Sequence, residues 1–214
     1  MAKLKINDKE LNYYKRTNCR LCNGADLELV IPMTATPVAD AYVSKNQLNE
    51  VQEIYPLDLY QCNDCGHVQL LDVVNPKILF SQYSYFSGKS AGLIKHFEEY
   101  ANNVMDGNKL KKGSFVVDIG SNDGAFLKFF RDKGMRVLGI DPAENVAKFA
   151  NGSGIKTIPD MFDSKLADTI RKNYGPADVV TANNVFAHTD NMQDMADAAR
   201  KLLADDGIFI FEVS

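Results

Sequence analysis

The stretch Phe115-Val-Val-Asp-Ile-Gly-Ser-Asn-Asp-Gly-Ala-Phe-Leu127 decides the fold of this chain. Its apolar start is typical of a buried strand that runs into Asp118. A tight turn with Gly120 and Gly124 follows, and an amphipathic helix then continues to Gly134. Glycine lets a ligand approach the turn because it has no Cβ, and the start of the helix offers free N–H groups. The stretch therefore predicts the first half of a nucleotide-binding βαβ unit.

The loop differs from the motif of dinucleotide-binding proteins. That motif needs glycine at positions 120, 122 and 125, whereas Asn122 and Ala125 occupy the second and third places. The second glycine is the one that admits a pyrophosphate, so its absence argues against NAD and FAD. A P-loop is excluded as well, because no Gly-Lys-Ser/Thr follows the turn.

Two acids end successive strands on either side of the glycine turn. Asp118 ends the first strand, where it can meet an ammonium group. Asp141 ends the next strand, Val137-Leu-Gly-Ile-Asp141, and can accept hydrogen bonds from two ribose hydroxyls. S-adenosylmethionine has a ribose and an ammonium group but no phosphate, so we predict it as the cofactor. The alternative is an α/β domain in which the glycines only shape the turn.

The later part of the chain keeps the α/β alternation and adds further candidates. A third strand is predicted at 155–158, a fourth at 177–182 and a fifth at 207–213. Residues after the third strand usually line the base of a bound nucleoside. The predicted cofactor-binding residues are Asp118, Gly120, Ser121, Asn122, Gly124, Asp141, Pro142, Asp160, Met161, Phe162 and Asn183.

Composition limits the classes of partner. With 214 residues, the chain can form one large or two small domains. A net charge of -4 gives no basic face for nucleic acid or an anionic membrane. The sequence contains neither an apolar run of about 20 residues nor a signal-peptide pattern at its start. We therefore expect a cytoplasmic protein that binds neither nucleic acid nor a membrane, while composition leaves open whether its substrate is a small molecule or a protein.

Four cysteines form two Cys-x-x-Cys pairs, Cys19 with Cys22 and Cys62 with Cys65. Such pairs in a cytoplasmic chain predict a structural zinc site with four thiolate ligands. The second pair lies between two strand-like runs, so we expect it at the tip of a hairpin. Disulfides are the alternative, and His67 is interpreted as a loop residue that could replace a cysteine.

The positions of the cysteine pairs and of the glycine turn divide the chain into three predicted parts. They are a zinc-binding module (1–75), a linking helix with a loop (76–112) and a cofactor-binding domain (113–214). The loop carries Tyr83 and Tyr85. These tyrosines either pack between the modules or form a lid, and the residues alone favour packing.

The order of these motifs resembles one family. The two cysteine pairs precede Tyr83-Ser-Tyr85 with Ser87-Gly-Lys-Ser90, then Asp118-Ile-Gly-Ser-Asn-Asp-Gly124, then Asn183-Asn-Val-Phe-Ala-His188. Nearly the whole chain resembles the zinc-containing sugar C-methyltransferases, which methylate carbon 3 of nucleotide-linked 4-keto-deoxysugars. The resemblance implies a Rossmann-like class I methyltransferase sheet, truncated here after its fifth strand, with the small four-cysteine zinc module before it.

The resemblance also implies a mechanism and its residues. A general base removes the proton of carbon 3 beside the ketone, and the enolate then takes the methyl group. Candidate catalytic residues are His188, Tyr83 and Tyr85, whereas His96 is interpreted as structural. The family has a Glu-His pair after the fifth strand and a C-terminal domain that helps to hold the sugar nucleotide. This chain ends before such a pair, so we expect it to be catalytically incomplete alone.

Two other classes of function stay open. One is an O- or N-methyltransferase that uses the zinc module for substrate recognition. The other is a non-catalytic zinc-bearing fragment of the same fold, which the pair of acids, Asp118 and Asp141, disfavours.

Overall fold

A computed structural model describes residues 12–80 and 83–213, together with the backbone of residues 5–6 and 9–10. The chain divides into two compact units, Met1–Ser81 and Gln82–Ser214. The division lies inside the stretch predicted as a link, and the finer three-part division stays a prediction. Among the helices of the described ranges, none is both long and apolar enough to span a bilayer.

The first unit is built mainly from short strands. They are β1 (Lys5–Ile6), β2 (Lys9–Glu10), β3 (Tyr13–Lys15), β4 (Leu27–Ile31), β5 (Leu59–Cys62), β6 (Val68–Leu70) and β7 (Asp72–Val74), with a 3₁₀ helix at Lys45–Gln47 and helix α1 at Pro76–Phe80. β4, β5 and β6 form an antiparallel sheet in that order, and β3 pairs antiparallel with β7. The β5–β6 hairpin carries Cys65 in its turn, as predicted.

The second unit is an α/β domain. Its elements are α2 (Ala91–Gly107), β8 (Phe115–Ile119), α3 (Ala125–Asp132), β9 (Arg136–Ile140), α4 (Glu144–Gly152), β10 (Thr157–Ile158), α5 (Ser164–Tyr174), β11 (Ala177–Asn183), α6 (Met192–Leu202) and β12 (Leu203–Glu212), with 3₁₀ helices at Ser87–Lys89 and Phe186–His188. The strands form one parallel sheet in the order β10-β9-β8-β11-β12. The glycine turn follows the central strand, β8.

All five residues of β8 are buried. Their side chains point alternately to the two faces of the sheet, where they pack into two separate apolar layers. Val117 and Ile119 face a core cluster that includes Ile170 of α5. Val116 faces a second cluster that includes Phe126 of α3 and several residues of α2. Helices therefore cover both faces, as a parallel sheet requires.

Helix starts follow from local side-chain caps. An N-cap side chain accepts a hydrogen bond from a backbone N–H of the first turn, which has no partner inside the helix. Ser90 caps α2, Asp163 caps α5 and Asn191 caps α6, accepting from Leu93 N, Leu166 N and Asp194 N.

The strand boundaries differ from the sequence prediction at two places. The third strand covers only Thr157–Ile158, because Ile155 N donates to Ala150 O at the end of α4 instead of to the sheet. The last strand begins at Leu203, not at Gly207, because Leu203 pairs with Ala177 ahead of a shift in register. Sequence patterns did not indicate either interaction.

Phe126→Ala is expected to destabilise the second unit by about 3–5 kcal/mol, as is usual for a buried phenylalanine. Phe126 is only 2% exposed, and its ring lies 5.0–5.2 Å from those of Phe97, Tyr100 and Phe130. Denaturant unfolding followed by circular dichroism measures the loss. Phe149→Ala, at a ring that is 53% exposed, is the control and should cost about 1 kcal/mol or less. Equal losses would contradict the packing described here.

Candidate functional site

The glycine turn adopts a left-handed backbone at three positions. Gly120, Asn122 and Gly124 have φ of 70°, 50° and 78°, a region that favours glycine. A Cβ on Gly120 would collide with Val185, and one on Gly124 would lie 2.8 Å from Ile155 Cβ. Protein side chains therefore already fill the space that each glycine leaves. A cofactor would meet the backbone of this turn rather than that space.

Asp141 fixes the turn against the end of β9. Its Oδ2 accepts from Asn122 N at 2.8 Å, and its Oδ1 accepts from Ala143 N at 2.9 Å. Burial raises the pKa of Asp141, while these two N–H groups act to lower it. Each carboxylate oxygen has a second acceptor site, so ribose hydroxyls can still be accommodated. The ribose contact of Asp141 stays a prediction from the sequence, whereas its role in holding the turn was not predicted.

Asp118 is a buried carboxyl group at the carboxyl end of β8, 4% exposed. Its Oδ1 accepts from Thr181 Oγ1 at 2.6 Å. Burial and, to a smaller extent, the charge of Asp141 together raise the pKa of Asp118 to about 7, against the hydrogen bond from Thr181. Within residues 12–80 and 83–213, Oδ2 has no hydrogen-bond partner. That oxygen can accept from a cationic group of a ligand.

Asn183 ends β11 with an unsatisfied side chain. Both amide atoms are buried and have no hydrogen-bond partner among the described residues. Thr181 and Asn183 lie on the same face of β11, because side chains alternate along a strand, and Thr181 pairs in register with Asp118. A buried polar group without a partner is costly, so the amide fits a site that binds a polar ligand.

Ser121 has a buried Oγ that also has no partner in the described part of the chain. This atom lies against Gly139 of β9, where a Cβ would collide with it. The side chain is therefore directed towards the sheet, and the predicted contact of Ser121 with a cofactor would have to come from its backbone.

The other predicted cofactor residues follow β9 and β10. Pro142 lies between Asp141 and the start of α4. Asp160 is exposed, and its Oδ1 accepts from Met161 N at 2.8 Å. Met161 and Phe162 are partly buried, and Phe162 packs against the core below the sheet edge.

The segment of residues 83–90 is bound to the glycine turn and to α4. Asn145 pairs twice with the backbone of Tyr83, accepting from its N at 3.2 Å and donating to its O at 2.7 Å. Asn122 Nδ2 donates to Tyr85 O at 3.0 Å. The Tyr85 side chain is 47% exposed. The two tyrosines thus lie on a segment whose backbone is held beside the glycine turn.

Two further bonds complete this attachment. Asn122 Oδ1 accepts from Ser87 N at 3.0 Å, and Asp123 Oδ2 accepts from Gly88 N at 2.8 Å. The sequence analysis did not predict these roles of Asp123 and Asn145. Two adjacent polar side chains in the glycine turn, Asn122 and Asp123, could have indicated that the turn bonds another segment.

Two histidines lie at the carboxyl end of the sheet. His188 is exposed and ends the 3₁₀ helix after β11. His96 Nε2 lies 2.9 Å from Glu212 Oε2, and Asn184 Nδ2 donates to Glu212 Oε1 at 3.3 Å. The pairing of His96 with a carboxylate was not predicted, because the two residues are 116 positions apart.

The four cysteine sulfurs form a compact cluster. Every pair of Sγ atoms lies within 4.8 Å, and all four cysteines are free thiols. Cys19 and Cys65 are 3.8 Å apart, and Cys22 and Cys62 are 3.6 Å apart, against about 2.05 Å for a disulfide. Four convergent thiols are the ligand set of a structural zinc ion.

Hydrogen-bond donors surround the first cysteine pair. Leu21 N donates to Cys19 Sγ and Gly24 N donates to Cys22 Sγ, both at 3.4 Å. Burial works to raise the pKa of Cys19, but the backbone N–H donors around it outweigh burial and lower the pKa to about 6. Such donors favour the thiolate, which is the form that binds metal.

Two family models match the chain. One, described as a methyltransferase domain, covers residues 94–214. The chain belongs to this methyltransferase family. The other model, a putative zinc binding domain, covers residues 19–80 and thus includes all four cysteines. Both the predicted family and the predicted fold, a parallel α/β sheet preceded by a four-cysteine module, are confirmed.

Known relatives agree with this membership. The C-methyltransferase NovU of Streptomyces niveus is 33% identical over 195 residues, which cover 91% of this chain and 46% of NovU. The chain thus spans about half the length of that relative.

Solved structures of similar proteins are more distant. They include the plantazolicin methyltransferase BpumL in complex with a pentazolic desmethylPZN analog and SAH, at 16% identity and a TM-score of 0.48, over 58% of this chain and 49% of that one. The PH0226 protein from Pyrococcus horikoshii OT3 is 19% identical with a TM-score of 0.48, over 61% of this chain and 58% of that one.

One zinc ion per chain is expected to copurify with this methyltransferase, because four thiolates converge with no disulfide between them. Cys62→Ser should lose most of the metal and loosen the first unit, as judged by elemental analysis and limited proteolysis. His67→Gln, next to the second cysteine pair, is the control and should keep its full equivalent. Metal-free wild-type protein, or equal zinc loss in both variants, would exclude this site.

Proposed function

We propose that the chain binds S-adenosylmethionine at the carboxyl edge of its parallel sheet and belongs to an enzyme that methylates carbon 3 of a nucleotide-linked 4-keto-deoxysugar. The observation that carries the proposal is the pair of buried acids, Asp118 and Asp141, beside the glycine turn of a methyltransferase domain. The name of the relative NovU, a C-methyltransferase, supports carbon as the acceptor atom.

The residues fit the proposed cofactor group by group. Asp141 has acceptor sites left for the ribose hydroxyls, and Asp118 has one oxygen free for the ammonium group. The unpaired amide of Asn183 adds both a donor and an acceptor at the same edge. Asp160 to Phe162 are proposed to lie beside the adenine, because they follow β10 at that edge.

Zinc is proposed to have a structural role. The ligands are Cys19, Cys22, Cys62 and Cys65, whose sulfurs converge. Four thiolates leave no open position for a substrate or water, so the ion would stabilise the first unit and take no part in the reaction.

The proposed chemistry requires a base, a donor for the enolate and a fixed methyl donor. The base removes the proton of carbon 3, and the resulting carbanion displaces the methyl group from sulfur in line at about 3–3.5 Å. His188 is proposed for a role in the site because it follows β11 at the carboxyl edge. Tyr83 and Tyr85 are proposed as enolate partners or bases, because their segment is fastened to the cofactor turn.

Binding of S-adenosylhomocysteine, measured by calorimetric titration, tests the cofactor. Asp141→Asn should weaken binding roughly tenfold to a hundredfold, because hydrogen bonds to a charged acceptor are lost. NAD should not bind, since Asn122 and Ala125 stand where a pyrophosphate loop needs glycine.

Asp168→Asn, at an exposed position of α5, is the matched control and should leave binding unchanged. Thermal unfolding of both variants separates loss of affinity from loss of structure, because Asp141 also holds the turn. Binding of NAD alone, or affinity indifferent to Asp141→Asn, would refute the cofactor assignment.

Proton exchange distinguishes carbon methylation from methylation of oxygen or nitrogen. The protein, in the longest form that its gene encodes, is incubated with S-adenosylhomocysteine and a nucleotide-linked 4-keto-deoxysugar in D₂O. We expect deuterium at carbon 3, since the base must remove that proton first. His188→Gln should slow the exchange about a hundredfold if His188 is the base, whereas His67→Gln should not. If no exchange occurs, but methyl transfer does when S-adenosylmethionine replaces S-adenosylhomocysteine, the acceptor is an oxygen or nitrogen atom.

A further inference from the structure

Thr181 lies beside the acid proposed to meet the cofactor's ammonium group. It is fully buried, with 0% exposure, on β11, and it pairs in register with Asp118 on β8. Thr181 Oγ1 donates to Asp118 Oδ1 at 2.6 Å and also lies 3.5 Å from Val117 O. The short distance to the carboxylate is typical of a strong, charge-assisted hydrogen bond.

The other ionisable groups near Asp118 do not help it to carry charge. Asp141, at the end of β9, raises the pKa of Asp118. Tyr100, on α2, is itself kept protonated, because burial and the charges of Asp118 and Glu212 raise its pKa to about 12. Among the described residues, Thr181 is the one whose side chain donates a hydrogen bond to the carboxylate of Asp118.

We propose that Thr181 is a positioning residue of the cofactor site, which holds Asp118 ionised and turns its free Oδ2 towards the ammonium group. This inference rests on the proposed binding of S-adenosylmethionine. A donor to a carboxylate favours its charged form over the neutral acid. The same bond restrains the carboxylate plane, because Oδ1 is engaged within the sheet while Oδ2 keeps both of its acceptor sites for a ligand.

Replacement of the threonine hydroxyl separates this role from packing. Thr181→Val keeps the branched shape but removes the donor, whereas Thr181→Ser keeps the donor and loses only a methyl group. Without the donor, burial and Asp141 act unopposed, so the carboxyl group ionises at higher pH. Binding of an ammonium group then has to drive the loss of a proton as well.

The experiment titrates the full chain with S-adenosylhomocysteine on both sides of neutral pH. In the wild type, affinity should fall about tenfold per pH unit below the pKa of Asp118, because only the ionised acid holds the ammonium group. In Thr181→Val, the midpoint of this fall should move up by about one pH unit, with affinity about fivefold weaker at neutral pH and about tenfold weaker well below it. Thr181→Ser should behave like the wild type.

Methylthioadenosine, which has the nucleoside but no ammonium group, is the second probe. Its affinity should be the same in wild type and Thr181→Val. Thr157→Val is the matched control, because Thr157 is also a buried threonine of the sheet, but among the described residues its hydroxyl bonds a backbone carbonyl, Ile155 O, and no carboxylate. It should leave the pH dependence of S-adenosylhomocysteine binding unchanged.

The outcomes separate this inference from the proposed function. Normal wild-type binding with the same pH profile in Thr181→Val would overturn the role of Thr181 alone, and so would equal weakening by Thr157→Val. Equal loss of methylthioadenosine affinity would also overturn it, since that would indicate a general distortion of the site. If the wild type binds neither probe, the proposed cofactor itself is refuted. Thr181→Ala serves as a second deletion if the valine variant does not fold.

Discussion

The carboxylate of Asp141 receives the backbone N–H groups of Asn122 and Ala143, and the organisation of the site depends on this convergence. One bond holds the middle of the glycine turn, and the other holds the chain where it enters α4. Two loops that follow neighbouring strands are thereby fixed to one side chain. Because the group is buried, its charge is stabilised by these donors and not by water. A ligand at this edge therefore meets a turn whose shape is set before binding, which lowers the entropic cost of binding.

Local patterns were sufficient to predict the framework. Each of the decisive patterns spans only a few adjacent residues: the apolar run of β8, the glycines that follow it and the two cysteine pairs. The fold class, the hairpin that carries Cys65 and the clustering of the four thiols followed from them. Such features are predictable because short-range geometry and ligand chemistry restrict which residues can occupy them.

Interactions between distant segments were not predictable in the same way. Thr181 meets Asp118 only because β11 pairs with β8 in a particular register. His96 meets Glu212 only because α2 covers the sheet edge at which β12 ends. A threonine in a strand and a histidine in a helix look ordinary in sequence, and their partners become visible only when the strands are placed side by side. The proposed cofactor contacts likewise involve residues that are distant in sequence and lie at the ends of different strands.

Asn122 has two properties that are usually found in different residues. Its backbone is left-handed, with φ of 50°, where glycine would be less strained. Yet its side chain bonds residues 83–90 at two points, donating to Tyr85 O and accepting from Ser87 N. A glycine here would relax the turn and release the segment at the same time. The residue that departs from the dinucleotide motif therefore ties the shape of the turn to the position of residues 83–90, so a substitution here would alter both segments at once.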